Sequence, residues 1–272
     1  MMVDLYHNFD KPLTNIHLFH WHSLLLCAKI GIESIGAYRT HTDPMQIVSG
    51  AYHNPKIHFE APPSRIVANE MKQFIDWFNT TKLNTLGLVR AAIAHIYFES
   101  IHPFEDGNGR IGRAISEKAL SQNLGRPTLI ALSETIEKNK KGYYQALHNA
   151  STTLDINEWI LFFCEIILKA QERSQSNIDF LIEKSKFYLK FAHRFNERQS
   201  KVIRSMFNQG IDGFKGGLSA ENYISITGTS RATATRDLQN LVKFTALNKI
   251  GERRYTRYYL KINHPSAYIK LE

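Results

Sequence analysis

Twelve consecutive residues, HPFEDGNGRIGR from His102 to Arg113, interrupt a chain whose apolar residues otherwise recur mostly at helical spacing. Two glycines on either side of Asn108, Gly107 and Gly109, demand a sharp turn there. Ahead of the stretch, Leu88, Ala92, Ile96 and Glu99 share one face of a helix expected from about Thr85 to Ser100. Behind it, Ile111, Ile115 and Ala119 share a face from about Asn108 to Asn123. The twelve residues are therefore expected as the loop joining two helices, with the second helix starting inside the glycine-rich turn.

The rest of the first two thirds reads the same way. Ile16, Phe19, Leu24 and Cys27 suggest a helix over 14–31 closed by Gly31. From Gly36 to Pro63 glycine and proline surround two extended runs, Met45 to Val48 and Lys56 to Glu60, which suggest a hairpin-like flap. Ser64 is placed to cap a helix carrying Val67, Met71, Phe74, Ile75 and Phe78. Further helices are expected near 134–150, 157–175 and 178–194. The two cysteines, Cys27 and Cys164, lie in apolar helical segments without metal or redox spacing, so both are expected as buried free thiols.

The pattern changes after Asn196. A helix over 196–208, a glycine-rich link, a short helix at 219–226 and a helix from 231 to about 244 capped by Ser230 precede two strand-like runs, 246–250 and 255–262. This order describes a winged helix-turn-helix. Residues 180–272 hold 17 Lys and Arg against 7 Asp and Glu, whereas residues 1–179 are nearly balanced, so the net charge of +9 comes from the last third. Such an excess suits an acidic partner, duplex DNA or a regulatory protein, met by Arg231, Arg236, Arg253 and Arg254. The boundaries read as 1–178, a linker helix at 179–195, and 196–272. No uninterrupted apolar run is long enough for a membrane span, and MMVDLYHNFD lacks the regions of a signal peptide, so a cytoplasmic protein with no membrane partner is expected.

The central loop brings together the groups that phosphate chemistry uses. Backbone N–H groups at Gly107, Asn108 and Gly109, at the positive end of the following helix, form a site for an anion. Arg110 and Arg113, three residues apart, can supply forked donors to outer phosphate oxygens. Asp106 is a carboxylate suited to hold Mg²⁺ against the same phosphates. His102 can accept a proton from an attacking hydroxyl. His95 reads as a core histidine, and His17, His20 and His22 lack the companions of a metal site.

The string fits HxFx(D/E)GNGRxxR at every specified position and resembles the signature of Fic (filamentation induced by cAMP) domains. That resemblance implies a mainly α fold: a Fic-type helical core with a β-hairpin flap, followed here by the small winged helix-turn-helix domain. It implies a nucleotidyltransferase, a protein adenylyltransferase moving AMP from MgATP to a Ser, Thr or Tyr hydroxyl of a target protein or of itself. It assigns His102 as the catalytic base and Phe104 as the anchor of the loop. It assigns Asp106 to Mg²⁺, Gly107, Asn108 and Gly109 to phosphate, and Arg110 and Arg113 to the outer phosphates. The flap at 45–63 resembles the one that pairs with a target segment by strand addition. The run KGYYQAL, with Tyr143 and Tyr144, is similar to the family's helix near the nucleoside.

The same site could instead remove AMP or transfer another phosphate-linked group, or the chain could be a DNA-binding regulator with a nucleotide-sensing Fic half. A homodimer is compatible with each. Many Fic proteins carry an inhibitory pattern, (S/T)xxxE(G/N), whose glutamate pairs with the second signature arginine. The nearest match, Ser133 to Glu137, is followed by Lys138 and lies inside the core, so it is discounted. A shortened chain, a separate inhibitory partner or an enzyme free of this brake would each leave Arg113 unpaired.

Overall fold

The computed structural model describes residues 1–27, 31–51, 54–82, 84–153, 155–214 and 216–263, and side chains outside 47–58. It divides into two compact units, Met1–Arg173 and Ser174–Glu272.

The first unit is helical with one hairpin. Its elements are α1 (Met2–His7), α2 (Asn15–Leu26), β1 (Gln46–Ala51), β2 (Asn54–Glu60), α3 (Ser64–Thr80), α4 (Gly87–Ile101), α5 (Asn108–Leu124), α6 (Leu132–Lys138), α7 (Lys140–Ser151) and the first half of α8 (Asn157–Phe191). The helices α4 and α5 are its centre. Ala91, Ala92, Ile96 and Phe98 of α4 and Ile111, Ile115 and Ala119 of α5 are buried, with Phe74 and Phe78 of α3 and Trp159 and Phe163 of α8 in the same cluster. Alanines at 91, 92 and 94 and a glycine at 112 permit close approach of the two backbones. A side chain at Gly112 would put its Cβ 2.8 Å from the Glu99 carboxylate.

The strands β1 and β2 pair antiparallel, Gln46 opposite Glu60 and Ala51 opposite Asn54, with an irregularity between Ile47 and Val48. This is the hairpin expected over 45–63, although residues 52–53 at its tip lie outside the described residues.

Five local expectations are corrected. Ser64 is the first helical residue of α3 rather than its cap; its hydroxyl donates to the His41 carbonyl and accepts from Arg39. The buried side of α2 carries Leu18, Trp21, His22 and Leu26, while Ile16 and Leu24 are exposed. Apolar residues occur on nearly every side of this helix, so periodicity could not choose its face. Since α2 ends at Leu26, Cys27 is exposed, and Cys164 is only half-buried; residues 28–30 of the expected 14–31 helix lie outside the described residues. Finally, the segments expected at 157–175 and 178–194 are one helix to Phe191, because no proline or glycine interrupts them, while the segment near 134–150 divides at Asn139 into α6 and α7.

The second unit comprises the rest of α8, then α9 (Glu197–Asn208), α10 (Ala220–Thr227), α11 (Arg231–Lys243), β3 (Leu247–Ile250) and β4 (Arg257–Leu260). Residues 179–191, expected as a linker, contribute Phe180, Phe187 and Phe191 to this unit's own core beside Val202, Ile203, Phe207, Leu238 and Leu241. Each new helix begins on a polar cap: Asn196 and Ser219 in reciprocal capping boxes, and Ser230 on Thr233 N. Asp237, 3% exposed, accepts from Arg198 Nε at 2.8 Å and Tyr223 Oη at 2.9 Å. The strands β3 and β4 form an antiparallel hairpin, and Leu218 adds a bridge to Tyr258. Residues 264–272 of the expected 196–272 domain lie outside the described residues.

Candidate active site

The signature begins where α4 ends. His102 is the C-cap of α4 with a left-handed backbone, φ 50° and ψ 58°, a conformation rare for a residue with a side chain. Its Nδ1 lies 3.4 Å from the Glu99 carbonyl oxygen and 3.6 Å from Glu99 Oε2. Both neighbours are acceptors, so the ring proton belongs on Nδ1 and the lone pair on Nε2. Burial pushes the imidazole down to about 4. The ring is therefore neutral at physiological pH and able to take a proton.

Two residues that sequence reasoning missed hold this loop in place. Arg39 is buried and donates from Nε to the His102 carbonyl at 2.8 Å, from Nη1 to Ser64 Oγ at 2.9 Å, and from Nη2 to the Pro62 and Ile101 carbonyls. Its own N–H donates to the Pro103 carbonyl. One guanidinium thus ties the base to the end of the flap hairpin and the start of α3. A lone arginine in a glycine- and proline-rich stretch gave no periodic signal for this role. His22 accepts from Gly36 N on Nδ1 at 3.0 Å, which leaves its Nε2–H to donate to the Asp106 carbonyl at 3.1 Å. The histidine weighed above as part of a metal cluster is a brace for the loop.

Phe104 is fully buried, stacked on His22 at 4.2 Å and flanked by Phe19, Tyr38 and Phe98. The anchor role implied for it fits that packing. Asn108 divides its groups between the loop and the helix start. Its Oδ1 accepts from Phe104 N at 3.0 Å and its Nδ2 donates to Phe104 O at 2.7 Å. The side chain is spent closing the loop, and only its backbone N–H can serve a phosphate.

Gly107 stands ahead of α5 with φ 85°, a left-handed position that suits glycine. No side chain caps α5, so the first N–H groups of a 17-residue helix are open to an anion. Arg110, exposed on the first turn, reaches Asp106, with Nη2 to Oδ2 at 3.2 Å. Gly109 leaves space beside Arg113: a Cβ there would meet Arg113 Nη1 at 3.3 Å. Arg113 itself is not unpaired, contrary to the expectation, because its Nε donates to Ser133 Oγ at 2.9 Å. Ser133 opens the discounted inhibitory match, yet that match's Glu137 pairs with Lys140 instead.

Among the described residues no group of three or more His, Cys, Asp or Glu converges into a metal cage. Asp106 alone, a partly exposed carboxylate beside an open helix N-terminus, fits an ion that keeps most of its oxygen ligands from water and phosphates, as Mg²⁺ does.

Behind the loop lies a buried polar layer. His95, fully buried, stacks on Phe163 at 4.7 Å and bonds Tyr143 Oη through Nε2 at 2.8 Å. Burial pushes this imidazole down to about 3, as suits a core histidine. Tyr143 is consequently packed in the core, whereas Tyr144 is 41% exposed. Glu99 lies in the same layer. The signal for it was present in the sequence as a carboxylate in register with an apolar helix face.

In the second unit Arg231 of α11 and Arg253 and Arg254 of the turn between β3 and β4 line one cavity of about 300 Å³ with Lys249 and Glu221. Arg236 is exposed on the same helix.

Residues 12–120 match the Fic/DOC family. This segment is a Fic/DOC family domain. It is similar to a probable protein adenylyltransferase of Aquifex aeolicus, 34% identical over 93 residues, which is 34% of this chain and 26% of that protein. It is also similar to protein adenylyltransferase fic-1 of Caenorhabditis elegans, 36% identical over 31% of this chain and 16% of that protein, and to protein adenylyltransferase Fic of Drosophila grimshawi, 30% identical over 46% and 25%. The matches thus span about a quarter or less of those relatives, and the homology is distant. A Fic family protein of Desulfovibrio desulfuricans shares the fold with a TM-score of 0.51 at 22% identity, covering 95% of this chain and 72% of that one. Among the described residues no helix is long and apolar enough to cross a membrane.

Proposed function

We propose that the first unit is a protein adenylyltransferase that moves AMP from ATP to a Ser, Thr or Tyr hydroxyl. The observation that carries this reading is the pairing, on one loop, of a neutral histidine whose Nδ1 faces acceptors with an uncapped helix N-terminus six residues later. His102 Nε2 takes the hydroxyl proton as the oxygen attacks the α-phosphorus. The bond from that phosphorus to the bridging oxygen breaks, and pyrophosphate leaves. The N–H groups at the start of α5, with Arg110 and Arg113, hold the β- and γ-phosphates, so that catalysis rests mainly on positioning and charge. Mg²⁺ held by Asp106 and the phosphates would supply further charge neutralisation. Tyr144 is the tyrosine of α7 available to a nucleoside. The β1–β2 hairpin, followed by the Pro62 carbonyl that Arg39 ties to His102, offers backbone edges to a target segment.

Label from α-³²P-ATP on protein, with none from γ-³²P-ATP, is the expected result. Label from γ-³²P-ATP alone would replace AMP transfer with phosphoryl transfer.

For the second unit we propose a winged helix-turn-helix that meets an acidic partner, with duplex DNA as the first candidate. The grouping of Arg231, Arg253, Arg254 and Lys249 around one cavity supports it. Binding to a duplex should weaken steeply with salt and more so in Arg231→Ala; absence of salt-dependent binding points to a protein partner.

A further inference from the structure

Glu99 Oε1 is buried and has no hydrogen-bond partner, and among the described residues it is the one buried side-chain oxygen or nitrogen in that position. A carboxyl oxygen left so is costly. The space it occupies is nevertheless reserved for it, since a Cβ on Gly112 would come within 2.8 Å of Oε1. Its other oxygen, Oε2, lies 3.6 Å from His102 Nδ1, on the side of the ring away from the nitrogen that receives the proton. Catalytic contacts of this length in a resting site commonly tighten once charge develops.

We propose that Glu99 is the positioning residue for His102: its carboxylate keeps the ring proton on Nδ1 and balances the positive charge the ring acquires when Nε2 takes the hydroxyl proton. Glu99 itself neither gains nor loses a proton in that step. The proposal rests on the reading of His102 as base. The Glu99 carbonyl also faces Nδ1, so the carboxylate's separate contribution is its charge.

The groups around the pair are few. Arg113 from α5 favours the Glu99 carboxylate, and Tyr143 from α7 lies close enough to interact with it. His95 of α4 borders the same notch at Gly112 and is neutral. Around His102, Arg39 opposes a positive ring and Asp106 favours one. Burial pushes the Glu99 carboxyl up to about 7, so its charge appears as pH rises through neutrality.

The test is Glu99→Gln, which keeps size and an acceptor but removes the charge. Transfer by the native enzyme should rise with pH between about 6 and 8, and in Glu99→Gln that rise should be absent, with the rate above pH 8 lower by about tenfold. In the nucleotide-free native protein labelled with ¹⁵N-histidine, the His102 ring nitrogens should step in shift near pH 7, with Nδ1 protonated throughout, and the variant should show no step. A native protein whose His102 carries its proton on Nε2 at pH 8, or a variant with the native profile and rate, overturns the proposal. The native spectrum needs no turnover. A native step with no AMP transfer from α-labelled ATP would therefore reject the adenylyltransferase reading while leaving the Glu99–His102 pairing intact.

Discussion

Asn108 separates a residue that touches phosphate from one that builds the loop. Its two bonds to the Phe104 backbone, at 3.0 and 2.7 Å, are buried, and the residue is 2% exposed. Asn108→Ala leaves the Phe104 N–H and C=O without partners in a place water reaches poorly. Each such group costs about 1–3 kcal/mol, so the pair costs about 2–6 kcal/mol. For a unit of this size, about 2–4 °C of melting temperature is lost per kcal/mol, which puts the fall on the order of 10 °C. The Phe104 ring, packed against His22, Tyr38 and Phe98, should lose its fixed position at the same time, and with it the spacing between His102 and Asp106. Thermal unfolding followed by circular dichroism, beside ATP binding by calorimetry, reads both effects. A variant that melts with the native protein and loses only ATP affinity would refute the structural role and return the side chain to the phosphate.

Three further outcomes follow from the geometry. Gly112→Ala should destabilise the first unit by about 1–3 kcal/mol, as overpacking does, and should slow transfer, because its methyl displaces Glu99 or His95; native melting and rate would deny the close contact. Arg39→Ala should lower kcat by at least about tenfold while leaving ATP affinity near native, since it removes the clamp on His102 and not a phosphate contact; an equal loss in ATP binding would contradict this. Burial pushes the Glu117 carboxyl up to about 8, above its unfolded value, so the folded state holds the extra proton and loses stability as pH rises through that value. Glu117→Gln should therefore melt several degrees above the native protein at pH 9 and nearly with it at pH 5, and a difference that does not depend on pH would refute the assignment.

What the sequence disclosed and what it withheld divide along physical lines. The helices flanking the signature were legible as two long helix-forming runs set apart by the glycine-rich turn, although α4 and α5 are buried on most of their sides, and the hairpin was legible because glycine and proline bracket it. The face of α2 was not, since that helix is apolar almost all round and only packing decides. The signature showed its own chemistry but not its supports. Arg39 and His22 lie far from it in sequence, and each acts through a side-chain bond to a carbonyl, an interaction with no periodicity or spacing to reveal it. Asn108 and Tyr143 carried plausible ligand chemistry in sequence, and only the fold shows both spent inside the protein. Arg113, expected to stand alone, donates to Ser133, a residue of α6 whose short polar side chain carries no sequence signal for such a bond.

The most direct measurement is transfer of label from α-³²P-ATP into protein by the native chain and by His102→Ala, with ATP binding measured for both. Binding should be nearly equal, and labelling should fall by about 10²- to 10⁴-fold without the histidine. Equal labelling by the two proteins would contradict this, because transfer would then proceed without His102 as base.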